Sequence, residues 1–253
     1  QWEQAADSMY TLCGKDRIHP STDGHLVMAY LFLKAQGLAG KLVADIRIDG
    51  AGKKVTRSDN CRVSDLSVSS DNLTFTYEAK SLPYPIDTSY YDNEKHTQAD
   101  ALSVIPFMDE MNYEGLSVSG LSDGYYGLTI GGEFIGRFTA RELERGINMA
   151  LLQNTPQYKQ AMKIRQMNEE RWLKERKMRE FYWVEYNLMR KTGMLWACNE
   201  AAVDTLRKYR PHDIFLQWNG DLWLQYMHKG IREDCVNEQQ DLVNQIYEQN
   251  KPI

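Results

Sequence analysis

The sequence lacks an apolar run long enough to cross a membrane. Its longest run, at residues 26–33, has eight residues, whereas a helix that spans a bilayer needs roughly 20. We therefore expect no membrane span. The first residues also lack a basic stretch followed by an apolar one, so we expect that any export signal has been removed or lies upstream of residue 1.

Cysteine is scarce, with four thiols at positions 13, 61, 198 and 235. Zinc sites draw their ligands from closely spaced pairs of cysteine or histidine, and these cysteines form no such pair. We expect neither a metal site nor a cofactor. Four thiols allow three disulfide pairings, but a chain of this length does not depend on disulfides, and isolated buried thiols are the commoner case.

An excess of positive charge is also absent. The formal net charge is -5, with 26% charged and 42% hydrophobic residues. Binding to nucleic acid or to an anionic membrane surface needs concentrated positive charge, so we expect no nucleic-acid partner. The charged stretch at residues 159–179 mixes both signs, which is typical of a solvated helix face.

The patterning predicts an α+β protein in three parts: residues 1–38, residues 39–139 and residues 140–253. The first part should be a loop followed by a helix, with Ser21 or Thr22 as its cap. Apolar side chains occupy most positions of this helix, so we expect it to be buried on most of its sides.

The middle part has the period of β-strands. Residues 44–49 and 73–79 alternate apolar and polar side chains, and turn sequences such as Gly131-Gly132 separate the strands. This pattern predicts a small antiparallel sheet or sandwich. Residues 82–112 contain three prolines and are predicted to form a long loop with a short helix near its end.

The last part is predicted to be helical. Thr139-Ala140-Arg141-Glu142 fits a capping box, and Thr155-Pro156 fits a cap followed by proline at the first helical position. A long helix should run from there to about residue 191. Shorter helices are predicted at about 195–208, 212–229 and 231–249, and Trp183, Trp196, Trp218 and Trp223 are expected in the core.

The candidate catalytic residues are Asp16 and His19, in the loop before the first helix. Histidine acts as a base near neutral pH, and it does so best when a carboxylate accepts a hydrogen bond from its other ring nitrogen. A spacing of three residues on one loop lets the two groups meet. Pro20 stiffens the end of that loop.

The longer string at residues 16–29, DRIHPSTDGHLVMA, resembles the last catalytic block of SGNH/GDSL-type serine esterases. The resemblance implies that His19 is the general base that activates a serine and that Asp16 orients it. It also implies that residues 1–38 are the C-terminal end of an α/β catalytic domain. Segments after residue 120 also resemble, more loosely, the C-terminal extension of some bacterial members of this family.

The family's nucleophile block, Gly-Asp-Ser, does not occur in the sequence. The nearest string, Gly220-Asp221-Leu222, has the wrong third residue and follows His19 instead of preceding it. We therefore expect that the chain is the C-terminal part of a longer hydrolase, that the serine lies in a missing N-terminal catalytic segment, and that the chain alone is inactive.

The substrate implied by the resemblance is an ester, for which an acetylated carbohydrate is the first candidate, and family habit implies a periplasmic or secreted enzyme. The alternative is a non-catalytic binding or structural module that assists a hydrolase. Aromatic rings in the strand region would suit carbohydrate, although core packing explains most tyrosines in sheets. These rings are Tyr84, Tyr90, Tyr91, Tyr113, Tyr125 and Tyr126.

Overall fold

A computed structural model of the chain describes residues 11–13, 17–89 and 96–251. It confirms the predicted α+β class, with small sheets followed by a helical region. No helix within these ranges is long and apolar enough to cross a membrane. The helices are α1 (Thr22–Ala35), α2 (Phe107–Glu110), α3 (Ala140–Arg145), α4 (Pro156–Val184), α5 (Glu200–Tyr209), α6 (Ile214–Tyr226) and α7 (Lys229–Gln249).

Eight strands precede α4 in the described ranges. They are β1 (Ala44–Asp49), β2 (Lys54–Asp59), β3 (Cys61–Val68), β4 (Leu73–Ala79), β5 (Glu114–Ser119), β6 (Tyr125–Ile130), β7 (Glu133–Thr139) and β8 (Ile147–Asn148). The chain divides into two compact units, of which the first runs to Met162 and the second covers Lys163–Lys251. The division into three parts stays a prediction.

The first unit is built on a four-stranded sheet with the order β2-β1-β5-β8. Two separate hairpins, β3-β4 and β6-β7, complete its strands. The apolar side of β1 is buried as predicted, since Ala44, Ile46 and Ile48 are at most 1% exposed, although Asp45 between them is buried as well. The three apolar side chains pack with Leu116 and Val118 of β5 in one apolar cluster.

The prediction of a small antiparallel sheet or sandwich needs one correction, because β1 and β5 pair in parallel. Parallel neighbours require a long crossover connection. Residues 50–113 provide it, because they contain the hairpin β3-β4, a 3-10 helix at Gln98–Ser103 and α2. The short helices fall where the long loop was predicted.

The hairpin β6-β7 turns at the predicted glycines. Gly131 and Gly132 have φ angles of 59° and 83°, a region that residues with a side chain seldom enter. The strand ends in the predicted capping box, in which the Thr139 hydroxyl accepts from the Glu142 amide at 3.2 Å. The Thr139 amide and hydroxyl donate to the Glu142 carboxylate and hold its pKa below the usual range.

In the second unit, α4 is followed by π-helical turns at Glu185–Met189. The carboxylate of Glu185, only 1% exposed, accepts from the Trp223 indole at 2.8 Å and from the Trp196 amide at 2.9 Å. These two bonds satisfy polar oxygens that would otherwise be expensive to bury. Trp196, whose amide makes the second of these bonds, has a φ of 62°.

The tryptophan prediction is correct for Trp223, which is fully buried among the helices. It is wrong for Trp196 and Trp218, which are 46% and 66% exposed. A position within a helical pattern does not reveal which face the side chain occupies. The second unit therefore presents aromatic rings on its surface.

Glu114, at the start of β5, is a fully buried carboxylate. One carboxylate oxygen accepts from the Tyr77 hydroxyl at 2.9 Å, and the other has no hydrogen-bond partner among the described residues. Burial raises the pKa of Glu114 to about 7, against a smaller opposing effect of the Tyr77 bond. The folded protein therefore retains this proton at a pH where the unfolded chain has released it.

We predict that Glu114→Gln raises the free energy of unfolding above pH 7. Because the folded pKa lies above the ordinary value of 4.5, wild-type stability should fall between about pH 4.5 and 7, by on the order of 2–3 kcal/mol. Urea unfolding at pH 5 and pH 8 should show this loss for wild type and a much smaller loss for the variant. Glu78→Gln, at an exposed pair with Arg62, is the control, and an equal loss in both variants would contradict the prediction.

Candidate active site

The loop that carries His19 is closed at its base. Cys13 and Pro20 form an isolated antiparallel bridge, and the Leu12 carbonyl accepts two hydrogen bonds from Ser21. The Ser21 amide lies 3.0 Å and its hydroxyl 3.1 Å from that oxygen. These contacts fix both ends of the loop 13–20 against the start of α1.

The glycine at position 24, in the first turn of α1, is required by a close backbone contact. A Cβ atom at this position would lie 1.9 Å from the Leu12 carbonyl oxygen, well inside van der Waals contact. The backbone of the incoming chain can therefore approach the helix only because residue 24 has no side chain. The glycine serves loop closure.

Ser21 occupies the N-cap position, as one of the two predicted caps, but its side chain makes no capping bond. Its hydroxyl contacts the Leu12 carbonyl and the Asp23 carboxylate instead. Asp23 accepts from the Gly24 amide at 2.8 Å, so it takes over part of the capping. An acidic residue is also favourable at this end of the helix, where the helix dipole is positive. Sequence reasoning left Asp23 without a role.

His96 is a second residue that sequence reasoning missed. Its Nδ1 lies 4.0 Å from Oδ2 of Asp23, and the Asp23 side chain is fully buried. The sequence separation between the two residues is too large for any local motif to reveal the contact. The pair brings residue 96 next to the first turn of α1.

His19 lies in the closed loop and is exposed, as are its neighbours Arg17 and Ile18. Arg17 has a φ of 56°, an uncommon conformation for a residue with a side chain. Asp16 lies outside the described residues, so its pairing with His19 stays a prediction. His25, which was expected to be structural, is exposed at the start of α1.

One face of α1 packs inside the first unit. Leu26, Val27 and Tyr30 are at most 5% exposed and contact Ile86 and Phe107 in one cluster. This packing fixes the helix that anchors the loop.

A polar cluster secures the second half of α1. The Tyr30 hydroxyl and the Lys34 amine each donate to the Glu110 carboxylate at 2.7 Å. The Lys34 bond lowers the pKa of Glu110, and the same bond raises the pKa of Lys34. Both groups therefore stay charged at neutral pH.

The opposite face of α1 is exposed, which corrects the prediction that the helix is buried on most sides. Met28, Leu31 and Phe32 are 57%, 55% and 64% exposed, and Ile18 in the loop is 74% exposed. Large apolar side chains that cluster on one surface mark an interaction site of some kind. The apolar character of the helix was correctly recognised, but the described residues cover only half of it.

The Gly-Asp-Leu string and two of the strand-region tyrosines make contacts within the fold. Asp221 of the Gly-Asp-Leu string makes two bonds of 2.6 Å to Arg210, and Gly220 packs against the same guanidinium. Of the strand-region tyrosines, Tyr84 packs edge-on to a phenylalanine ring and Tyr125 lies 4.5 Å below the Arg137 guanidinium. Positions 90 and 91 lie outside the described residues, and a tyrosine platform for carbohydrate stays a prediction.

Comparison with known proteins relates the chain to drug-metabolizing enzymes. Residues 162–251 match the family described as the diltiazem deacetylase C-terminal helical domain. Among solved structures, the whole chain is similar to a gut microbial diltiazem-metabolizing enzyme, with 41% identity and a TM-score of 0.93. The chain spans 57% of the length of that enzyme. No curated protein matches it.

We predict that Gly24→Ala opens the loop. The new methyl group must displace the Leu12 carbonyl and with it the two Ser21 bonds, at an expected loss of about 1–3 kcal/mol in unfolding free energy. Limited proteolysis should show faster cleavage at residues 13–20.

Gly230→Ala is the matched control, since nothing outside the backbone of α7 lies within 4 Å of its added Cβ. We expect that change to be neutral or to stabilise by up to about 1 kcal/mol. Equal cleavage rates in both variants would show that the Leu12 contact does not hold the loop.

Proposed function

We propose that the chain is part of an SGNH/GDSL-type acyl-ester hydrolase, to which it supplies the general base His19 and the orienting carboxylate of Asp16. The observation that carries the hydrolase class is the similarity, over the whole chain, to a diltiazem-metabolizing enzyme. The family matched by residues 162–251 is named after a deacetylase, which removes an acetyl group. The closed loop around His19 supports the assignment of the residues.

In this mechanism a serine hydroxyl attacks the carbonyl carbon of the ester, and its proton moves to one ring nitrogen of His19. Asp16 accepts a hydrogen bond from the other ring nitrogen and stabilises the imidazolium. The imidazolium then returns the proton to the alcohol that leaves. Water repeats these steps on the acyl-serine and releases the acid.

The serine must come from another part of the protein, because the sequence contains no Gly-Asp-Ser block. The similar enzyme is longer than the chain. The exposed apolar face of α1, formed by Met28, Leu31 and Phe32, offers a surface on which a further segment can pack. We propose that this segment holds the serine and the donors that stabilise the oxyanion.

The proposed substrate is an acetyl ester, and an acetylated carbohydrate is the first natural candidate. Exposure of His19 on a loop suits a substrate that arrives from solvent. We further propose that the enzyme acts in the periplasm or outside the cell, and that it needs no metal or cofactor.

We predict that His19→Ala in the full-length protein lowers kcat for a simple acetyl ester by at least about a hundredfold, because the serine loses its base. His25→Ala, an exposed histidine six residues further on, is the control and should retain turnover. Initial rates with 4-nitrophenyl acetate measure both. Equal activity of the two variants would contradict the role of His19.

We predict that the 253-residue chain alone hydrolyses no ester, because its sequence contains no Gly-Asp-Ser nucleophile block. The assay is again 4-nitrophenyl acetate hydrolysis with purified chain. Turnover by this chain that disappears in His19→Ala would overturn the proposal that another segment supplies the serine.

We predict that Phe32→Asp destabilises the full-length protein but not the 253-residue chain. In the chain alone the ring is 64% exposed, so its replacement should change stability by less than about 0.5 kcal/mol. In the longer protein a charge would be buried in the contact, and the melting temperature should fall. Tyr247→Asp, at a ring that is 71% exposed in α7, is the control, and equal effects of Phe32→Asp in both proteins would refute the contact.

A further inference from the structure

The second unit contains a groove along α4 that the proposed hydrolase mechanism does not use. Its volume is about 340 Å³, within the range of small-ligand sites. Five of its lining residues lie on α4 and one on α6. They are Trp172, Arg176, Arg179, Glu180, Trp183 and Asn219.

The five residues of α4 form one stripe. Positions 172, 176, 179 and 183 follow one another at spacings of four, three and four residues, and position 180 lies four residues after 176 and three before 183, so all five fall on one side of the helix. The two tryptophans are eleven residues apart, which corresponds to roughly 16 Å along the helix axis. The groove is therefore elongated, with an indole ring near each end.

The two indoles are held differently. Trp172 is 45% exposed and contacts the Arg176 guanidinium at 5.8 Å. Trp183 is partly buried against the helical core, and its ring lies 5.2 Å from that of Phe215. Packing fixes the second ring, while the first presents its surface to solvent.

The polar groups between the indoles differ in how tightly they are paired. Arg176 Nε lies 2.6 Å from Glu180 and is fixed by it. Arg179 contacts Glu175 at 3.3 Å, with both side chains about half exposed. An exposed pair of this kind contributes little energy, so Arg179 can exchange its partner for an anionic group of a ligand.

The side chains that line the groove indicate which class of ligand it can bind. Guanidinium, carboxylate and amide groups each offer two polar atoms in one plane, which suits neighbouring hydroxyl groups, and a guanidinium binds carboxylate with two parallel bonds. A purely apolar occupant would cover Arg179, Glu180 and Asn219 without replacing their bonds to water. A sugar ring has both an apolar face for an indole and hydroxyl groups for the polar side chains.

We propose that this groove binds a linear carbohydrate chain that carries carboxylate groups. Sugar rings stack on Trp172 and lie along α4 towards Trp183, Glu180 and Asn219 bind hydroxyl groups, and Arg179 binds a carboxylate. The groove is lined by residues of the second unit alone and includes neither Asp16 nor His19, so its test does not depend on the proposed hydrolase activity. It would hold a polymeric substrate while another part of the protein acts on it.

The test is calorimetric titration of the 253-residue chain with three hexasaccharides: hexagalacturonate, a hyaluronan hexamer and neutral maltohexaose. We expect at least one acidic hexamer to bind with a Kd below about 1 mM and the neutral one to bind about tenfold more weakly. Trp172→Ala should weaken the binding about tenfold or more. Trp218→Ala, which removes an indole that is more exposed but does not line the groove, should leave it unchanged.

Arg179→Gln tests the carboxylate contact separately. It should remove the preference for the acidic hexamer and leave the affinity for the neutral one unchanged. Circular dichroism confirms that each variant is folded. Failure of both acidic hexamers to bind, binding that survives Trp172→Ala, or equal affinity for acidic and neutral hexamers would overturn the proposal.

Discussion

The geometry of the proposed active site depends on the contact between the Leu12 carbonyl and the first turn of α1. That oxygen accepts both the amide and the hydroxyl of Ser21, and it can reach the helix only because residue 24 is glycine. A loop closed at its base limits the positions that His19 can adopt. General-base catalysis needs such a limit, because proton transfer requires a base within hydrogen-bond distance of the nucleophile.

The same contact shows what the sequence could and could not reveal. The string at residues 16–29 pointed to a catalytic loop, and regular alternation correctly predicted strands such as β1. The reason for Gly24 was hidden, since it lies in a backbone oxygen twelve residues earlier. The contact between His96 and Asp23 was hidden for a similar reason, because no local pattern links residues so far apart.

Patterns of hydrophobicity were less informative about which surfaces are covered. They identified α1 as apolar on most sides, but half of that surface, including Phe32, is exposed in the described residues. They also placed Trp218 in the core, although it lies at the surface. A periodic pattern predicts that a helix has an apolar face. Which part of the protein covers that face depends on the tertiary arrangement. The parallel pairing of β1 and β5 likewise depends on a connection too long for local signals to predict.

In the proposed mechanism the imidazole of His19 takes a proton from the nucleophile. Chemical rescue tests it most directly: free imidazole is added to the full-length His19→Ala protein, and hydrolysis of an acetyl ester is followed. We expect imidazole to restore a measurable part of the lost turnover, with a gain that follows the concentration of its neutral form. A variant that stays inactive at every imidazole concentration, or one that needs no rescue because it is already as active as wild type, would contradict the claim.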